Sequence, residues 1–223
     1  AHEILDALAQ KHPNWTDVQV DVAIAQLNRR QEGDADAALA TLQQIASADP
    51  ENLRAHYCAG LLLFHNGKPD EALVYMQHVT EQDPKDGYAA YFAAQCLLEL
   101  GEQEHAMAGF RRAIEIDPYL RSAYYGAFQM LQRQGKTDEA KKHLETFQKL
   151  KNNPQARIAE IKYTRMGPKA EVLAWDATVT EDVPPHTGYV FDEMKPLVVS
   201  HADDVQWSES DGLLESVTVC DID

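Results

Sequence analysis

No stretch of the 223 residues approaches the run of about 18 apolar residues that a membrane-crossing helix needs. The N-terminus, "AHEILDALAQ", has neither the charged start nor the apolar centre of a signal peptide. Cysteine is scarce. Cys58, Cys96 and Cys220 show no CxxC or Cys/His spacing, and an odd count leaves at least one thiol unpaired within the chain. Cys58 and Cys96 stand among apolar neighbours, where free cysteine behaves as a small buried hydrophobe. Basic residues are short as well: 20 Lys and Arg against 36 Asp and Glu give a net charge of −16. Without a dense cationic surface to displace counterions from a phosphate backbone, nucleic acid is not an expected partner.

Catalytic signatures are missing too. The nine histidines form no HExxH, no i,i+4 pair and no Cys/His cluster, so a metal-dependent enzyme is not expected. There is no G-x-S-x-G, no P-loop and no G-x-G-x-x-G. Acidic residues such as Asp70 and Glu71 have a structural reason to be where they are, since they favour the positive end of a helix. The chain is expected to be non-catalytic and to carry no cofactor of its own.

What the sequence does have is 44% hydrophobic residues, enough for a core, and a step that repeats. Pro50, Pro84 and Pro118 close "ADP", "QDP" and "IDP" at intervals of 34. Gly33, Gly67, Gly101 and Gly135 keep the same step, as do Ala38, Ala72, Ala106 and Ala140. Glycine ends one helix where the chain turns back, alanine lets two helices approach, and proline stops the second helix. The unit is therefore a helical hairpin. "AHYCAGLLLFHNGKPDEALVYMQHVTEQDP" and "AYFAAQCLLELGEQEHAMAGFRRAIEIDP" resemble the tetratricopeptide repeat in length and in their small and large positions.

The expectation is an all-α superhelix of four units, 19–52, 53–86, 87–120 and 121–152, followed by an extended, partly β C-terminal segment. Departures fall at the edges: Gln26 stands where the second unit has Gly60, and Asn152 where a closing proline would be. Residues 1–18 read as a helix ended by Pro13, either the remnant of an earlier unit or a cap. Residues 153–167, "PQARIAEIKYTRMG" after Asn153, place Ile158, Ile161 and Met166 before Gly167, and read as a capping helix.

The resemblance implies a concave groove lined by the first helix of each unit, binding a partner protein or peptide or the chain's own extended tail. The family's groove positions fall here on Arg54, Tyr57, Leu61, Phe64, Tyr88, Tyr91, Gln95, Tyr125 and Gln129. Four tyrosines and two glutamines suit recognition of an extended peptide, although an aromatic stripe at helical spacing also suits a core. The positions used by family members that clamp a C-terminal carboxylate hold Tyr57, Cys58, Leu61, Tyr91, Phe92, Gln95 and Gly126 and supply no cation, so that ligand is not expected.

Composition shifts near Pro154: residues 155–223 hold 14 acidic residues against 5 basic ones. Residues 168–223 lose the helical period and read as an acidic tail that packs on the array or on a further domain. Its end, "LLESVTVCDID", alternates like a strand and then presents Asp221 and Asp223. This resembles the opening of an FG-GAP (integrin-α-type) propeller repeat, as in bacterial proteins that join tetratricopeptide repeats to such propellers, some with an ASPIC/UnbV module. The resemblance implies calcium on Asp221 and Asp223 in a continuing loop, and a periplasmic or extracellular protein that is the recognition arm of a larger one. Read otherwise, the two aspartates are a solvated terminus, and the cysteine usage fits the cytoplasm equally well.

Overall fold

The computed structural model describes residues 2–173. Nine α-helices are found among them: α1 His2–Lys11, α2 Thr16–Arg29, α3 Asp34–Ala48, α4 Leu53–His65, α5 Pro69–Gln82, α6 Gly87–Glu99, α7 Gln103–Ile116, α8 Arg121–Arg133 and α9 Thr137–Lys149. Helices α2 to α9 form four consecutive hairpins, and the starts of α4, α6 and α8 are 34 residues apart. The described part of the fold is all-α.

Local chemistry sets the helix ends. The side chains of Asn52 and Asp86 cap α4 and α6 by accepting the N–H of Ala55 and of Ala89, each at 2.9 Å. Pro69 opens α5, where its missing N–H costs nothing. At the turn after α4, Gly67 takes a left-handed φ of 72° and donates to Phe64, while Lys68 donates to Leu63. This paired Schellman closure recurs around Gly101 and Gly135. The first hairpin turns differently: Arg30 itself is left-handed at φ 58°, and Arg29 clamps Asp34 through two bonds of 2.6 and 3.1 Å.

The two helices of a hairpin bury different fractions of themselves. On α6, nine residues from Gly87 to Leu98 are buried, whereas α5 buries Ala72, Met76 and Val79. First helices are thus sandwiched inside the array and second helices form its outer layer. Ala38, Ala72, Ala106 and Ala140 are at most 1% exposed and sit where paired helices meet. Between α7 and α8 a Cβ placed on Gly126 would lie 2.5 Å from the ring of the fully buried Phe110. Only glycine admits that ring.

The expected capping helix over 153–167 is not formed. After a short 3-10 turn at Leu150–Asn152 the chain is irregular, with a parallel bridge between Leu120 and Arg157, a tight loop over 160–165, positive φ values at Thr164 (70°) and Gly167 (94°), and a second 3-10 turn at Pro168–Ala170. The apolar spacing that suggested a helix serves instead to seat Ala159, Ile161, Met166 and Ala170 against the core of the array. Packing of alternate stretches overrides helical spacing here. The strand-like end with Asp221 and Asp223, and the calcium site expected there, lie outside the described residues. No helix among the described residues is long and apolar enough to cross a membrane.

Candidate functional site

The stretch 157–173, extended at 157–159 and turned at 160–165 and again in a 3-10 helix at Pro168–Ala170, lies along the inner helices, running from α8 back to α2. At its start Arg157 exchanges main-chain bonds with the chain entering α8, donating to Tyr119 and accepting from Arg121 at 2.9 and 2.8 Å. Ala159 then bonds through both its N–H and its carbonyl to the Ser122 hydroxyl, at 3.0 and 3.2 Å. Further on, the Tyr57 hydroxyl donates to the Met166 carbonyl, and the Cys58 thiol to that of Lys169 at 3.5 Å. Arg54 donates to the Glu171 carbonyl at 2.7 Å, and the Leu173 N–H reaches Asp21 at 3.1 Å. Groove side chains thus satisfy main-chain groups that a helix would have paired internally.

Charged side chains fix the segment at two turns between repeats. Lys169 Nζ stands 2.6 Å from Asp83 and 2.7 Å from Asp86, and Arg157 lies 2.7 Å from Asp117. Asp83 and Asp117 precede Pro84 and Pro118, and each also accepts an N–H of its own turn, from Lys85 and from Tyr119. The recurring acid is therefore a turn former whose carboxylate is left facing the segment. At the α2 end, Arg54 bridges Asp17 at 3.1 Å and the fully buried Asp21 at 2.5 Å.

The titratable groups are tuned accordingly. Burial pushes the Cys58 thiol up to about 12 and the Tyr57 phenol well above its ordinary value, so both stay protonated and act as donors. The hydrogen bond from Lys169 holds the Asp83 carboxyl below the usual range. For Lys169, burial works against the charge, but the bonds to Asp83 and Asp86 outweigh it and the value is raised.

A pH profile follows from these directions. Asp83 favours the docked segment fully above its ordinary value of about 3.9, and that contribution is lost as pH falls through the depressed docked value. Lys169 favours docking fully below about 10.4, with loss only as pH rises through its raised value. Amide exchange over 157–173, referenced to α6, should show level protection from about pH 5 to 9 and a loss below about pH 4. Asp83→Asn should lower protection already at pH 7.

The residues proposed from the sequence divide three ways. Arg54, Tyr57 and Tyr88 touch the segment, Tyr88 by packing its ring against Gly167. Leu61 and Tyr91 are buried in the core, and Gln95 donates to the Tyr91 hydroxyl at 2.6 Å. Phe64 packs towards Leu63, Ala72 and Cys96. Tyr125 stands 41% exposed beside Phe128 and Phe147, and Gln129 lines a shallow surface depression with Gln132 and Arg133. The expected aromatic stripe is thus largely interior. Asp21, Cys58, Asp83 and Asp86 are not among the positions expected to bind, whereas Ser122, which bonds Ala159, stands at an expected groove position of the fourth unit. Asp83 had a legible signal, because Asp49, Asp83 and Asp117 recur at the step of the prolines. Among the described residues no group of three or more His, Cys, Asp or Glu could hold a metal ion.

Stacked helical hairpins whose inner groove seats a further stretch of chain define a helical-repeat interaction scaffold. Profiles of the tetratricopeptide repeat match residues 63–127 and 25–78, so residues 25–127 are built of tetratricopeptide repeats. No curated protein matches the sequence. Among solved structures, MamA 41-end from Desulfovibrio magneticus RS-1 is similar with a TM-score of 0.61 at 20% identity, over 69% of this chain and 85% of that one. Another crystal structure of MamA is similar with a TM-score of 0.60 at 18% identity, over 67% and 85% of the two chains. A likeness at such identity fixes the fold and leaves the ligand to this chain's own residues.

Proposed function

We propose that the protein is a non-catalytic interaction scaffold whose concave groove holds an extended polypeptide, and that residues 157–173 occupy it until a partner's segment takes their place. The observation that carries this reading is the array of groove side chains, from Ser122 to Asp21, bonded to main-chain groups of a segment that forms no α-helix of its own. Recognition of this kind takes affinity from the backbone and specificity from a few side chains. The acidic turns at Asp83 and Asp117 favour cationic residues on whatever lies in the groove.

The test is a photo-reactive residue at Lys85, an exposed position beside the segment, in the full chain. Irradiated alone, the chain should crosslink to its own residues 166–171. In native extract, adducts to a second protein should grow at the expense of the internal one and map to an extended peptide. Internal adducts of unchanged yield at every extract concentration would mean that the segment is a fixed brace, and the exchange reading would fall.

A further inference from the structure

The contacts made by residues 166–173 are of two kinds. Met166, Lys169 and Glu171 offer carbonyls to Tyr57, Cys58 and Arg54, and Leu173 offers its N–H to Asp21. Every residue type but proline carries both groups, so these bonds set the path and direction of the segment without reading its sequence.

Side chains are read at Gly167 and Lys169. Gly167 has φ 94°, and a Cβ there would lie 2.8 Å from the Tyr88 ring and 3.0 Å from the Tyr57 hydroxyl. Any larger residue is excluded twice, by its own backbone and by two tyrosines. Two residues on, the Lys169 ammonium sits between Asp83 and Asp86 with its side chain 18% exposed. A neutral residue would leave the two carboxylates without the ammonium that bonds them both, and an acidic one would add a third. A cavity of about 610 Å³ opens beside this corner, giving an incoming side chain room to approach while the resident one is seated.

Resting on the groove function proposed above, we infer that the corner between α5 and α6 is a specificity pocket for a lysine ammonium two residues after a glycine. The partner that replaces residues 157–173 is then a polypeptide presenting a Gly-x-Lys segment in the same direction and in the 3-10 turn that Pro168–Ala170 adopts, and Gly167-Pro168-Lys169 is the chain's own copy of that signal. The pocket selects by charge and the tyrosine pair by size. The resident copy, being tethered, competes at high effective concentration.

The experiment titrates the full chain, as wild type and as Lys169→Glu, with a labelled peptide of residues 163–173, YTRMGPKAEVL. Two altered peptides are run beside it, one with Glu at the lysine and one with Ala at the glycine. Circular dichroism checks folding, and amide exchange checks whether residues 157–173 are released. The Lys169→Glu chain should release its segment and bind the native peptide at least about tenfold more tightly than wild type does. Either alteration of the peptide should weaken binding by about tenfold to a hundredfold, the range for a hydrogen bond to a charged group. Equal binding of native and altered peptides overturns the lysine reading and leaves the groove function standing. A segment still protected in Lys169→Glu overturns the pocket's role in holding it. A released segment with no peptide bound overturns the groove function as well.

Discussion

Replacing Phe110 with Ala should lower the unfolding free energy by about 3–5 kcal/mol, the range for removing a buried aromatic ring from a core. Phe110 is fully buried on α7, its ring centroid 5.9 Å from that of Tyr91 on α6, with its edge filling the space left by Gly126 on α8. Gly126 has no side chain with which to fill the hole, and the helices around it are held by their own turns. The loss falls on the interface between the third and fourth hairpins. In a protein whose total stability is on the order of 5–15 kcal/mol, that is a large share. Chemical denaturation followed by circular dichroism measures it. A change below about 1 kcal/mol would show that α8 slides inward and closes the cavity.

Arg54→Ala should have the second-largest effect, about 3 kcal/mol, because it takes a guanidinium from a carboxylate that is fully buried. Arg54 also holds the Glu171 carbonyl, so the same change should raise amide exchange over residues 169–173 before the helices themselves are affected. Changing Asp21→Asn in the Arg54→Ala background should restore part of the loss, since it removes the buried charge that Arg54 had balanced. Stability unchanged in Arg54→Ala would mean that water reaches Asp21 from the groove.

The repeat was legible because three residue types with separate physical duties keep one register. Gly67, Gly101 and Gly135 end helices in left-handed turns, Ala72, Ala106 and Ala140 lie at helix contacts, and Pro84 and Pro118 follow the second helices. Register also identified the inner helices and, with them, Arg54, Tyr57 and Tyr88. It could not tell which way each ring turns. Tyr91 points inward because Phe92 and Phe110 offer it an aromatic neighbourhood. The path of 153–167 was illegible for a different reason: Ile158 and Ile161 are spaced for a helix, and the bonds that hold the segment against the array come from residues far away in sequence. Asp83 and Asp117 were visible as a recurring acid, but their role depends on cations 86 and 40 residues later.

The run of residues 157–173 across all four hairpins changes how the array comes apart. A stack of repeats with contacts only between neighbours frays from its ends, each terminal unit melting at its own local stability. Here Asp21 and Leu173, 152 residues apart, are bonded, and Arg157 accepts the N–H of Arg121 at the start of the fourth hairpin. The two ends are thereby joined into one loop of contacts, so fraying at one is opposed by structure at the other. Cooperativity is gained at the expense of folding speed, because that last closure links residues far apart along the chain. An occupant that displaces the segment would therefore return the array to independent, end-first melting.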